Sequence, residues 1–201
     1  MFHPLDKRSS RMALGLPVDA RLVGTAGAVT ASRGISDLFD AFIQMARTDQ
    51  DLWLVHAGPT DRSIGRYRHP RIIDLGRLPQ VAVPQVLASL DVGVICNRDS
   101  AFGRYCFPLK LHEMSAMQIP VVAAALGDVA GILASHPQCL YTAGDPNMLA
   151  ERIRVQLEKG SSPRISISTW RNCADELDLA LKAARTANQG SGSMPQGPSS
   201  V

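Results

Sequence analysis

Short apolar runs alternate along this chain with longer segments whose apolar residues recur every three or four positions, and that alternation leaves few folds open. Leu22-Val23-Gly24-Thr25 is the first strand-like run. From Gly34 to about Arg47, Ile35, Leu38, Phe39, Phe42 and Met45 form the stripe of an amphipathic helix. Strand-like runs return near 52–57 and 71–75, followed by a helix from Val81 to Ser89 opened at or just before Pro84. Val92–Cys96 and Ile119–Ala124 are short and almost wholly apolar, as strands covered on both faces are. Gly127–Ser135 reads as a short helix and Cys139–Tyr141 as a last strand. Pro146–Lys159 reads as a helix with Asp145 at its N-cap. Strands separated in this way by helices pair in parallel and carry helices on both faces. The expected class is therefore α/β, with a doubly wound parallel sheet over residues 21–160.

After Gly160 the pattern changes. Ser161-Ser162-Pro163 reads as a linker, and Thr169 to about Thr186 as a final helix with Trp170, Cys173, Leu177, Leu181 and Ala184 on one stripe. Linker and helix together make a segment 161–188, in which Trp170 is expected to anchor a core, a docking contact being the other reading. Residues 189–201 are Gly, Ser, Pro and Gln with almost nothing apolar to bury, so a disordered tail is expected.

A chain of 201 residues suits one domain of ordinary size. Its net charge of +3 is too small to imply a polyanion partner. Arg62, Arg66, Arg68, His69, Arg71 and Arg77 form a basic stretch that an anionic membrane or a nucleic acid could meet. Only Tyr67 is interleaved with it, so a solvated loop is the better account and no nucleic-acid partner is expected. Cys96, Cys106, Cys139 and Cys173 are far apart and include no Cys-x-x-Cys pair, which argues against a zinc ribbon or redox motif and suits a reducing compartment. There is no signal-like amino terminus and no apolar run near eighteen residues, so a cytoplasmic protein is expected, with attachment to the inner face of a membrane left open. His112-Glu113 has Ala116 where a zinc protease needs its second histidine, and His3, His56, His69 and His136 are scattered. No metal is expected, nor a hydrolase elbow.

The segment from Phe107 to Ala124 carries the chemistry. Pro108 suits the first turn of a helix, whose free N–H groups would face the crevice beyond the strands and favour an anion such as a diphosphate. Lys110 adds a positive charge in that turn, and Glu113 offers a carboxylate that accepts from sugar hydroxyls. A nucleotide-sugar presents both needs. The loop Gly24–Gly27 has glycines where a backbone can approach phosphate, without the full dinucleotide or P-loop pattern.

These residues resemble the donor-binding domain of retaining glycosyltransferases of the GT-B architecture, in group 1 (family 4). There a glutamate on a short helix precedes a Pro-Val-Val strand, as Glu113 precedes Pro120-Val121-Val122. The likeness covers roughly residues 1–185, in the order Phe2-His3-Pro4-Leu5, Val23-Gly24-Thr25-Ala26-Gly27, Ser32-Arg33-Gly34-Ile35, Leu52 to Gly58, Ile72 to Gly76 and Leu90 to Val94. It implies a Rossmann-like half of a GT-B fold, with residues 1–20 as the linker entering it. It also implies retaining transfer without a metal, or a cofactor, from a UDP- or GDP-sugar. The acceptor-binding N-terminal domain would be supplied in cis or as a separate chain, and this half alone would turn over weakly or not at all.

Carried over position by position, the resemblance puts Arg33 and Lys110 on the donor diphosphate and Glu113 on the ribose. Gly24, Gly27, Tyr105, Pro108, Leu109 and Leu111 would stand around the donor, and the base would lie near Gly76, Arg77 and Leu78. Three positions depart from the pattern: Ala28 replaces a second arginine, Tyr105 the sugar-side glutamate, and Gln118 a helix-closing glycine. Two other readings stay open. One is a non-catalytic module that keeps the fold and not the site; the other is a nucleotide-sugar enzyme such as an epimerase, whose own histidine and carboxylate pattern is lacking.

Overall fold

The computed structural model describes residues 1–160, 162, 163, 165 and 170–190. Six strands form one sheet: β1 (Arg21–Ala26), β2 (Leu52–Ala57), β3 (Ile72–Asp74), β4 (Val92–Ile95), β5 (Val121–Ala124) and β6 (Leu140–Tyr141). Their order is β3-β2-β1-β4-β5-β6, and every neighbouring pair is parallel. The helices are α1 (Lys7–Ala13), α2 (Ser36–Met45), α3 (Val83–Ser89), α4 (Ala101–Tyr105), α5 (Leu109–Ala116), α6 (Gly127–Ile132), α7 (Pro146–Lys159) and α8 (Trp170–Gly190).

Side chains alternate across a strand, so each core strand feeds two cores. Val23, Leu54, Val94 and Val122 face α2 and α7, meeting Leu38, Phe39, Phe42, Leu149 and Ile153. Leu22, Val55, Ile95, Val121 and Ala123 face the other way, toward Val86 and Leu87 of α3, Leu111 and Met114 of α5 and Val129 of α6. This is the doubly wound sheet expected from the alternation.

Several boundaries shift. The helix expected from Val81 is α3 with a 3-10 turn, Gln80–Ala82, before it. Cys139 ends a 3-10 turn ahead of β6, and α6 stops at Ile132 where it was expected to run to Ser135. Asp145 caps α7 through its side chain, accepting from the Met148 amide at 2.9 Å. Residues 1–20 hold a helix that periodicity did not reveal. Asp6 caps it by accepting from Ser9 N, and Arg11 fastens it to the sheet. The Arg11 side chain, 5% exposed, donates to the carbonyls of Ser89, Val18 and Ala20 and to Asp91 Oδ2, all at 2.7–2.8 Å. Asp91 in turn accepts from the Leu22 amide, tying α1 to the start of β1.

Met1–Ile165 form one compact unit, and α8 belongs to a second. Helix α8 continues to Gly190, four residues past its expected end near Thr186. Trp170, expected to anchor a core, is 75% exposed. Ser161, Thr169 and the tail beyond residue 190 lie outside the described residues.

Candidate functional site

Strand order reverses direction between β1 and β4: the chain winds outward to β2 and β3 on one side and to β5 and β6 on the other. At such a switch point the loops leaving the two central strands part, and a crevice opens at their carboxyl ends. Here it is a cavity of about 280 Å³. Ala28 lies on its wall beyond β1, Ile95, Cys96 and Asn97 at the end of β4, and Pro108, Leu109, Lys110 and Leu111 where α5 begins; Arg33 and Phe102 join them.

Lys110 sits half-buried in the first turn of α5. Gly27 takes φ +113°, and a Cβ there would stand 2.8 Å from Lys110 Cε and 3.1 Å from Nζ. The glycine thus makes room for the ammonium against the β1 loop. Burial lowers the Lys110 pKa below the ordinary lysine value, and the Arg33 charge pushes it the same way; Cys96 and Glu113 oppose the shift. A bound anion would offset the shift by favouring the charged form. Pro108 is the N-cap and offers no side-chain cap, while Leu109 N–H turns back to the Phe107 carbonyl at 2.8 Å. The Lys110 amide has no backbone acceptor among the described residues, which leaves a main-chain donor beside the ammonium.

Arg33 ends a 3-10 turn, Ala31–Arg33, just ahead of α2. Its guanidinium lies 4.0 Å over the Phe102 ring, a cation–π contact that limits its freedom before any ligand arrives. Glu113 stands half-buried one turn beyond Lys110 and is not on the cavity wall. Burial raises its pKa, and the Lys110 charge draws it back.

Arg33, Lys110, Pro108, Leu109 and Leu111 therefore converge, with Gly27 against Lys110. The other expected residues stand apart from this wall. Gly24 is mid-strand in β1, where a Cβ would strike the Val55 carbonyl oxygen at 1.9 Å, so its bareness serves strand contact. Gly76 takes φ +66° beyond β3 and its carbonyl accepts from Gly58 N. Arg77 is exposed, and Leu78 packs on the second core. Tyr105, at the end of α4, is 85% exposed and does not line the cavity.

Phe102, Asn97 and Cys106 also line the cavity without having been expected there, as does Phe107, which opens the segment read as carrying the chemistry. The sequence signal for α4 was Ser100, which caps it by accepting from Gly103 N at 3.2 Å. Phe107 stacks on His112, with ring centroids 5.3 Å apart. Burial lowers the His112 pKa, and its Nδ1 is buried without a hydrogen-bond partner among the described residues.

The family model for group 1 glycosyl transferases matches residues 20–159. The chain belongs to that family. Among curated glycosyltransferases it is 24% identical over 184 residues to TuaC of Bacillus subtilis (strain 168), named for teichuronic acid biosynthesis, covering 91% of this chain and 45% of that protein. The chain thus spans about half the length of this relative. Solved structures agree on the fold. Sucrose-phosphate synthase of Thermosynechococcus elongatus superposes with a TM-score of 0.74 at 20% identity, over 92% of this chain and 50% of that one. HepE of Anabaena, crystallised with UDP and glucose, gives 0.64 at 18% identity over 92% and 52%. The fold of this glycosyltransferase-family chain is that of a GT-B half.

Among the described residues of this family member, no group of three His, Cys, Asp or Glu side chains could hold a metal ion, and no helix is long and apolar enough to cross a membrane. Burial pushes the Cys96 thiol up to about 12 and that of Cys139 to about 11, so both stay protonated and unreactive near neutrality.

Proposed function

We propose that this chain binds the nucleoside diphosphate of a UDP- or GDP-sugar in the β1/β4 cavity. The glycosyl group would then pass, with retention and without a metal, to an acceptor held by an acceptor-binding domain in cis or on another chain. The observation that carries this reading is the pairing of Lys110 and Arg33 around one cavity at the switch point, with the lysine seated against Gly27. Two cations and a free amide suit a diphosphate leaving group, whose growing charge they would stabilise as the glycosidic bond lengthens. A half-buried Glu113 behind Lys110 suits the ribose hydroxyls. That HepE was crystallised with UDP supports the same ligand class. The cysteines, all free, suit a reducing cytoplasm.

Calorimetric titration with UDP, GDP and ADP tests the reading. One diphosphate should bind saturably, and Lys110→Met, Arg33→Ala and Glu113→Ala should each weaken it by about 1–3 kcal/mol, the worth of a charge-assisted hydrogen bond. Equal affinity in all three variants would falsify the assignment.

A second reading, a module that binds nucleotide without transferring sugar, is favoured by one observation: among the described residues no carboxylate lines the cavity. Product analysis with an acceptor-binding domain supplied separates the two. Glycosylated product supports transfer, and nucleotide binding without product supports the module.

A further inference from the structure

Three arginines surround a second hollow, of about 350 Å³, outside the donor cavity. Arg62 and Ser63 come from the turn after β2, Arg66 from just beyond it, Ser36 from the first residue of α2, and Arg98 from the loop after β4. The sequence set Arg62 and Arg66 within one basic stretch, and the structure divides that stretch. Arg71 is structural, donating to the carbonyls of Asp49, Leu52 and Ala46. Arg62 lies on the hollow, beside an arginine more than thirty positions away in sequence.

The fold places these cations deliberately close. Gly34 takes φ +66°, and a Cβ on it would come within 3.0 Å of the Asn97 carbonyl carbon and 3.2 Å of Arg98 Cγ. On the other side, a Cβ on Gly103 would lie 2.0 Å from the Arg98 carbonyl oxygen. Two bare glycines therefore hold Arg98 beside the start of α2. Asp61 fixes the opposing turn by accepting from Ser63 N, from the Ser63 hydroxyl and from Ala31 N.

Nearby carboxylates are already engaged. Asp99 takes two hydrogen bonds from Arg104, Asp37 accepts from Gly144 N and the Tyr141 hydroxyl, and Asp40 accepts from the Tyr67 hydroxyl while standing 3.8 Å from Arg66. Arg62 and Arg98 have no side-chain hydrogen bond or ion pair among the described residues. Ile35 gives α2 no side-chain cap, so the positive end of that helix adds to the field. Arg62, Arg66 and Arg98 are exposed, so water screens their mutual repulsion, and their guanidinium forks match phosphate oxygens.

The geometry points to an anion site here for the phosphate group of a phosphate-bearing ligand. Arg98 also shares a depression of about 500 Å³ with Arg33 and Phe102, which both line the donor cavity, so the two sites adjoin through shared side chains. That continuity would let an acceptor held by the acceptor-binding domain rest its phosphate here, a role that rests on the donor reading; the anion site itself does not. The phosphate would come from a soluble phosphorylated sugar or from a lipid headgroup.

The test is run in a Lys110→Met background, which silences the donor cavity, at roughly physiological salt, where exposed charges beyond a Debye length are screened. The chain is titrated with inorganic pyrophosphate, with glucose 6-phosphate and with phosphatidylcholine vesicles containing phosphatidic acid. Arg62→Gln with Arg98→Gln should weaken binding at least tenfold, with amide shifts at Ser36, Ser63 and Arg98 abolished. Arg8→Gln with Arg47→Gln, an equal loss of exposed charge elsewhere, should leave binding within twofold. A response to pyrophosphate supports the anion site itself, a response to glucose 6-phosphate assigns a soluble phosphorylated sugar, and a response to vesicles without one to glucose 6-phosphate assigns a lipid headgroup. Equal losses in the two double variants, or no binding in any arm, overturns the site. UDP affinity of the otherwise unaltered chain is measured in parallel: its absence removes the donor reading while the anion site stands or falls on its own arms.

Discussion

Gln118 takes φ 57° just past the end of α5, the position where a glycine was expected. Its amide donates to the Ser115 carbonyl and that of Ile119 to Met114, the paired bonds that close a helix through a left-handed residue. A side chain in that conformation costs about 1–2 kcal/mol, while glycine's extra freedom in the unfolded chain costs roughly 0.5–1 kcal/mol. Gln118→Gly should therefore raise stability by about 0.5–1 kcal/mol in urea denaturation. His56 makes the opposite kind of case. Burial beside Phe39 holds its pKa below the ordinary 6.5, with Asp74 opposing the shift. The unfolded chain takes up a proton near pH 6.5 that the folded chain refuses, so the stability present above that pH is lost as pH falls toward the folded pKa. Comparing wild type with His56→Gln from pH 7.5 to 5 should show a shallower acid loss in the variant. His69 and His112, lowered by the same cause, keep part of the slope.

At the scale of the element, α1 shows why a periodicity reading passes over some helices. Only Ser10 and Arg11 of its seven residues are buried, so there is no apolar stripe to see. What docks the helix is one guanidinium whose donors meet three carbonyls and a carboxylate. Arg11→Met should cost about 3–5 kcal/mol, since Asp91 and the carbonyls lose their partner where water enters poorly. Lys7→Ala removes a half-exposed ion pair to the same Asp91 and should cost at most about 1 kcal/mol. Urea midpoints of the two variants measure the contrast, and equal losses would refute the anchoring role. Helix α4 escaped notice for another reason: five residues make little more than a turn, and one of them is Gly103. It nonetheless delivers Phe102 to the cavity wall.

For the whole molecule, a ligand that binds only the folded chain stabilises it by about 2.7 kcal/mol at a hundred times its Kd. The preferred nucleoside diphosphate should raise the melting temperature of Met1–Val201 measurably, and of Lys110→Met at the same concentration much less. A thermal shift equal in the two would place the nucleotide elsewhere. The β1/β4 cavity exists only because strand order reverses between those strands, so it is a property of topology rather than of any one segment.

Periods of two and of three to four residues are local facts, and they determined the strands, the helices from α2 to α7 other than α4, and the parallel class of the sheet. The helix start that carries Pro108 and Lys110 to the cavity wall was legible for the same reason, since a helix start beside a buried strand is written in consecutive residues, whereas Glu113, in the same segment, does not line the cavity. The order of the strands was not, because register and adjacency are decided by contacts between segments tens of residues apart. Neither was the seating of Lys110 against Gly27, nor that of Arg98 between Gly34 and Gly103. Those pairings depend on how closely two backbones approach once the helices have packed on the sheet, a distance that only the tertiary structure sets.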